Sequence, residues 1–253
     1  MGSLDGRAGL VTGGGAGIGR ASALALAGAG GQVVVVDMAE ETAKETAELI
    51  ADAGGQAAYF RADVSNPGDA AAMVQFVVDT YGRLDFAHNN AGILGPTATL
   101  ADYDDAEWER VIAVDLTAIF LCMKHEIRAL LAAGTPGSIV NTASFSGLVA
   151  VPFAAGYVAA KHGVVGLTKA AAVEYGRKNI RVNCVCPGTV RTQLMQERID
   201  ENPKLEKSLT DVSPMRRLAE AEEIAASVAW LVSDASSFVN GHALPIDGGA
   251  VAQ

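Results

Sequence analysis

Cysteine is scarce in this chain of 253 residues, which holds only Cys122, Cys184 and Cys186. So small and odd a set excludes a disulfide scaffold and suits a reducing compartment. Cys184 and Cys186 do not read as half of a metal site. No histidine or second cysteine pair lies near them, and the two are expected on opposite faces of a strand. The histidines, His88, His125, His162 and His242, are scattered without ligand spacing, so no metal is expected. Aromatic residues make up 6% of the chain, too few for a core wedged by bulky rings. Long apolar runs are missing as well: no stretch reaches the roughly 18 residues that span a bilayer. Asp5 and Arg7 interrupt the N-terminus where a signal peptide would need an apolar core, so a cytoplasmic protein is expected. Positive charge is in deficit, with 19 Lys and Arg against 29 Asp and Glu and a net charge of −10. Nucleic acid and anionic membranes call for basic patches and are not expected partners.

What the chain has in abundance is small side chains. Alanine (46) and glycine (28) supply 74 of the 253 residues, and half of the chain is hydrophobic. Such a composition buries a core, which excludes disorder. It favours closely approaching backbones, as when helices lie on a sheet. β-branched runs alternate with Ala-rich stretches, predicting strands at 8–12, 32–37, 57–61, 84–89, 138–142 and 181–186. Helices are predicted at 18–29, 39–53, 69–81, 105–133 and 157–178. Val33 to Val36 is apolar throughout, as suits a parallel strand covered on both faces. The expectation is an α/β fold, a single domain over residues 1–253 built on a doubly wound parallel sheet with helices on both faces. One window departs in composition. No alanine occurs between Ala172 and Ala219, and Arg191 to Arg217 holds six basic and five acidic residues. This window reads either as a solvated helix pair or as a substrate lid at about 191–217 over the sheet's carboxyl edge.

Three motifs carry chemistry. The first strand runs into Thr12-Gly13-Gly14-Gly15-Ala16-Gly17-Ile18-Gly19 and a helix follows. Glycines there permit a tight turn and let the backbone approach a pyrophosphate at a helix N-terminus. Asp37 ends the second strand, 18 residues beyond Gly19. A carboxylate at that place accepts ribose hydroxyls and repels a 2′-phosphate. Neither Met38 nor Gly14 to Ile18 supplies a cation for such a phosphate, so NAD is expected over NADP. Ser144 follows the fifth strand, Tyr157 comes thirteen residues later and Lys161 four residues after that. Tyr and Lys at i and i+4 share a helix face. An ammonium beside a phenol favours the phenolate and draws its pKa down from about 10, which makes a proton carrier for an alcohol or a carbonyl.

Together, Thr12-Gly13-x-x-x-Gly17-x-Gly19, Asp63-Val64, Asn89-Asn90-Ala91-Gly92, Ser144, Tyr157-x-x-x-Lys161 and Pro187-Gly188-Thr189-Val190-Arg191-Thr192 resemble the short-chain dehydrogenase/reductase family. The resemblance runs through Asp247-Gly248-Gly249 and so covers nearly the whole chain. Through Tyr157-Val158-Ala159-Ala160-Lys161-His162-Gly163 it leans toward cyclic-alcohol and hydroxysteroid dehydrogenases. It implies a Rossmann-type fold and an NAD-dependent oxidoreductase passing hydride between the nicotinamide and a secondary alcohol or ketone. Tyr157 would be the general acid/base and Ser144 the hydrogen-bond partner of the substrate oxygen. Lys161 would bind the nicotinamide ribose. The resemblance further places Gly13, Ile18 and Gly19 at the pyrophosphate, Asp37 at the adenosine ribose, and Asp63 and Val64 at the adenine. Asn90, Ala91 and Gly92 would lie along the nearby backbone and Val190 and Thr192 at the carboxamide. Gly17, Met38, Pro187 and Gly188 would complete the cofactor set. It also implies a homotetramer, or a homodimer, through the helices at 105–133 and 157–178, where Ala159, Ala160, Ala170 and Ala171 would allow close helix contact.

One position departs. Val114-Asp115-Leu116 has Asp where the family usually has Asn, at a site that relays protons from the lysine. Asp115 is expected to pair with Lys161, to leave activity intact and to shift the pH optimum of oxidation upward. The apolar stretch with Phe145, Leu148, Val149, Pro152 and Phe153, together with Ile93, Leu94, Leu194 and Met195, would line an apolar substrate pocket. Two other readings stay open: a 3-oxoacyl-thioester-type ketoreductase of the same family, and an NAD-binding regulatory module without catalysis.

Overall fold

Val33, Val34, Val35 and Val36 are all fully buried, and their side chains alternate between two cores. Val34 and Val36 join Leu10 on one face, while Val33 and Val35 join Val11 on the other. A strand covered on both faces belongs in a parallel sheet, whose crossover helices do the covering. The computed structural model describes residues 2–202 and 204–253, with the side chains of Leu194 and Arg198 outside the described set. The strands are β1 (Ala8–Thr12), β2 (Gln32–Asp37), β3 (Gln56–Arg61), β4 (Phe86–Asn89), β5 (Gly137–Thr142) and β6 (Ile180–Pro187), with β7 (Val190–Arg191), β8 (Ala219–Glu220) and β9 (Ala243–Ile246) after them. Seven of them form a parallel sheet in the order β3-β2-β1-β4-β5-β6-β9, the doubly wound arrangement.

Three helices, α3 (Pro67–Tyr81), α5 (Ala118–Ala133) and α6 (Ala155–Tyr175), cover one face. The other face carries α1 (Gly17–Gly28), α2 (Glu40–Asp52) and α9 (Ala221–Val232). Local chemistry sets their ends. Asn66 caps α3 by accepting from the Gly68 and Asp69 amides, with Pro67 in the first turn. Glu220 and Glu223 form a capping box on α9. Between β7 and β8 lie α7 (Gln193–Glu201) and α8 (Lys204–Asp211), the charged window of the sequence. β7 and β8 pair in a two-stranded sheet of their own.

Several expectations are corrected. The sheet gains β9 at its edge, a strand containing Pro245, and an edge position is where a sheet tolerates a missing amide donor. β4 begins at Phe86 rather than 84, because the Asp85 carboxylate accepts from the Ala8 amide at 2.8 Å and holds Arg83. The helix predicted over 105–133 is α4 (Asp105–Ile112), then a π-helical segment, Ala113–Thr117, and then α5. Cys184 and Cys186 lie in the same core rather than on opposite faces, as the two-residue period of a strand requires. Of the four alanines assigned to a helix contact surface, Ala160 and Ala171 are buried within the molecule's own core. Among the described residues, no helix is long and apolar enough to cross a membrane.

Candidate active site

The chain leaves β3 at one edge and re-enters the sheet at β4 beside β1. Connections diverge at this point and open a crevice at the carboxyl ends of the strands. Thr12 and Asn90 tie its floor together. The Thr12 hydroxyl oxygen accepts from the Asn90 and Ala91 amides at 2.9 and 3.1 Å, and Asn90 Nδ2 donates to the Thr12 carbonyl at 3.2 Å. The glycine-rich turn lies over this floor. Gly13 and Gly17 have φ of 61° and 50°, and a Cβ on Gly19 would collide with the Gly13 carbonyl oxygen. The turn is therefore bare backbone, and α1 behind it has no side-chain cap. Its free amides suit a diphosphate, and the residues present fit a dinucleotide.

Asp37 stands at the end of β2, where its Oδ2 accepts from the Gly15 amide at 2.9 Å and its Oδ1 from the Ala39 amide at 3.0 Å. Arg20, the cation on this turn, is committed to the Gly15 carbonyl, Thr46 and Glu45. Met38 is exposed and Ile18 packs on the core. Val64 is buried, while Asp63 Oδ1 is taken by the Ser65 amide and hydroxyl at 2.9 and 2.7 Å. Gly188 lies so close to Asp247 that a Cβ would come within 2.8 Å of its Cα. Val190 is buried, and Thr192 abuts Gly17 across the crevice.

Ser144 follows β5, and its Oγ accepts from the Ser146 amide at 3.1 Å. Tyr157 is half-buried in the first turn of α6, and Lys161 lies one turn on with its Nζ 5.4 Å from the centre of the Tyr157 ring. Lys161 is only 3% exposed and donates to the Thr142 carbonyl at 3.2 Å. Its ammonium sits 3.4 Å from Asp115 Oδ1, which also accepts from the Ile93 amide at 3.0 Å. The π-helical segment delivers Asp115 to this place, and Gly92 makes room for it. A Cβ on Gly92 would lie 2.5 Å from Asp115 Oδ1 and 3.3 Å from Lys161 Nζ. Burial drags the lysine down, but Asp115 and Tyr157 outweigh it and hold Lys161 above the usual lysine range. Burial pushes the Asp115 carboxyl up, against the pull of Lys161.

The expected pocket is assembled unevenly. Ile93, Leu94, Phe145 and Met195 are half-buried, whereas Leu148 packs against the core. Val149 and Phe153 are exposed, and Phe153 takes a left-handed φ of 65°. The side chain of Leu194 lies outside the described residues. Sequence reasoning missed the anchoring roles of Thr12, Gly15 and Thr142, although Thr12 and Gly15 stand within the glycine motif. It also left His88 without a role. His88 is fully buried with Nε2 2.9 Å from the Thr142 hydroxyl, which in turn donates to Asn90 Oδ1 at 3.2 Å. Burial pulls the imidazole down to about 3, so the ring is neutral.

The family model described as Enoyl-(Acyl carrier protein) reductase matches residues 13–251. The chain is 44% identical over 252 residues to a 2,5-dichloro-2,5-cyclohexadiene-1,4-diol dehydrogenase of Sphingobium indicum, covering 100% of each chain. It is 46% identical over 239 residues to a cyclohexanol dehydrogenase of Acinetobacter sp., covering 94% of this chain and 92% of that one. The crystal structure of a variant actinorhodin polyketide ketoreductase with NADPH is similar at a TM-score of 0.91 and 35% identity, covering 96% of this chain and 97% of that one. Matches that span the crevice, the helix carrying Tyr157 and Lys161 and the whole sheet show that the chain belongs to the short-chain dehydrogenase/reductase family, oxidoreductases that use a nicotinamide cofactor.

Proposed function

We propose that the protein is an NAD(H)-dependent dehydrogenase that moves hydride between the nicotinamide and an apolar, cyclic secondary alcohol or its ketone. The observation that carries this reading is the buried Lys161 ammonium facing the Tyr157 ring, with Asp115 behind it. In oxidation, the Tyr157 oxygen, as phenolate, takes the alcohol proton as general base and becomes the hydroxyl. Ser144 Oγ already accepts from the Ser146 amide, so its own hydrogen is free to point at the substrate oxygen, where negative charge gathers. Lys161, kept charged by Asp115, faces the Tyr157 ring and would bind the nicotinamide ribose. The bound cofactor supplies the hydride chemistry, which no side chain can.

NAD is supported by Asp37 and by the commitment of Arg20 to Glu45. A cyclic substrate is supported by the two dehydrogenase relatives acting on ring alcohols. The helix pair α7–α8, which begins beside Thr192, serves as the substrate lid. The similarity to a ketoreductase carrying NADPH favours a second reading, thioester ketone reduction, which Asp37 opposes. The test offers NAD and NADP, each with cyclohexanol and a panel of secondary alcohols, while reduced cofactor is followed by absorbance. NAD is expected to give at least about tenfold higher kcat/KM, and Tyr157→Phe to lower turnover by about a hundredfold or more. Preference for NADP would defeat the cofactor assignment, and an active Tyr157→Phe protein the catalytic one. Phosphorylated cofactor with thioester substrates alone would select the second reading.

A further inference from the structure

Among its described residues, the helix pair α7–α8 has few fully buried side chains. Ile199 is its one buried side chain among the described residues, and α8 contributes none. Lys207 and Asp211 pair one turn apart within α8, and Arg216, just beyond the helix, pairs with the same carboxylate. Arg191 is different. It stands on β7, between Val190 and Thr192, and its guanidinium reaches three elements at once. Nη1 donates to Gln196 Oε1 of α7 at 2.7 Å, Nη2 to Glu206 Oε1 of α8 at 2.9 Å, and Nε lies 3.7 Å from Glu220 Oε1 of β8.

The side that Arg191 stands on is firm. β7 pairs with β8, Val190 with Ala219 and Arg191 with Glu220. The Ala219 amide donates to the Thr189 carbonyl at 3.0 Å. The Glu220 amide donates to Glu223 Oε2, and Arg217 grips the Glu223 carboxylate through two nitrogens at 2.6 and 2.7 Å. β8 is thereby fixed to the start of α9, which packs on the sheet. A planar guanidinium with donors on separate nitrogens can join three such partners, which an ammonium cannot do in a fixed geometry.

We infer that Arg191 is a positioning residue for substrate, a post that fastens both α7 and α8 to the β7–β8 pair and so sets where the proposed substrate lid lies. The inference rests on the dehydrogenase reading only for its kinetic arm. Removing the post loosens both helices, so substrate binding weakens while the Ser144, Tyr157 and Lys161 constellation keeps its geometry.

The test compares the full-length protein with Arg191→Gln and with Glu206→Gln, a surface change that spares folding if the first does not. Amide hydrogen exchange by mass spectrometry over 193–211 is expected to speed up about tenfold in each variant, with peptides of β5 and α6 unchanged. With NAD, KM for cyclohexanol is expected to rise about fivefold while kcat stays within about twofold. Arg191→Lys restores a single contact and should fall between. Unchanged exchange over 193–211 in both variants would overturn the inference, as would a kcat that falls in step with kcat/KM. If the wild type oxidises no alcohol on the panel, the dehydrogenase reading fails and the exchange arm still decides on the post.

Discussion

At the carboxyl edge of the sheet, Thr12, Asn89, Asn141, Ser144 and Lys161 are each at most 5% exposed, and Gly13 and Gly19 bring backbone against backbone. Across the crevice, α7 and α8 bury a single described side chain and are tied down by the partly exposed pairs Arg191–Glu206 and Arg216–Asp211. The first wall is fixed by contacts that leave no slack, as binding a constant cofactor requires. The second is held by interactions that are individually weak in water, and if it is the proposed substrate lid it can be rebuilt without disturbing the first. The contrast makes a claim about mutations: the sheet edge should be brittle and the helix pair forgiving.

Gly19→Ala tests the brittle side with the largest expected effect. The added methyl would enter the Gly13 carbonyl oxygen and come within 2.7 Å of Asn90 Nδ2. Neither neighbour can retreat, since Gly13 is backbone and Asn90 is bound to Thr12. Titration calorimetry with NAD should show affinity reduced about a hundredfold or more, or a protein that no longer melts cooperatively. Binding within about twofold of wild type would mean that the turn has slack, and the contrast would fail at its strong end.

Beneath the same edge lies a buried polar layer whose effect depends on pH. Glu126 of α5 is fully buried, its Oε2 accepts from Asn89 Nδ2 at 3.0 Å, and burial raises its carboxyl to about 8. An acid raised in the folded state is protonated there while the unfolded chain ionises above about 4.5, so stability falls as pH rises from about 4.5 to 8. His88 has the opposite sign. Depressed to about 3, it contributes stability that is whole above about 6.5 and is lost as pH falls toward 3. The two effects cancel between about 4.5 and 6.5, where stability should be flat. Glu126→Gln removes the alkaline limb and keeps the Asn89 contact. Urea melts should show the variant gaining on wild type by several kcal/mol in order of magnitude by pH 8, with little difference near pH 5. A constant difference across that range would show that Glu126 does not hold its proton.

How far the sequence reveals each region follows from the same contrast. The glycine turn, Asp37 and the Tyr157–Lys161 spacing were legible because backbone geometry restricts which residues can stand there. The parallel strands were legible from runs such as Val33 to Val36. β9 was not, since Pro245 argues against a strand unless its edge position is known. The π-helical segment 113–117 was also hidden, because the residues from 105 to 133 read as one continuous helix. What bends it is tertiary: Asp115 reaching the Ile93 amide and Lys161. Phe153 could be named as a pocket residue, but nothing in its neighbours foretold a left-handed φ that leaves it half in solvent. In the helix pair charge and length were legible, while Arg191 acquired its three partners only when β7 met β8.

The smallest expected effect tests the forgiving side. Lys207 reaches Asp211 at 2.6 Å from one turn away on α8, but its side chain is 81% exposed. Water competes for both charges, and Arg216 still holds the same carboxylate when the lysine is gone. Lys207→Ala should therefore move the melting temperature by about 1 °C or less and leave KM for cyclohexanol within about twofold. This outcome separates a local helix pair from a tether, because Arg191→Gln on the neighbouring strand is expected to raise KM. If the two substitutions raised KM equally, the helix pair would depend on its charge as a whole, and the distinction between a forgiving surface and a single post would have to be abandoned.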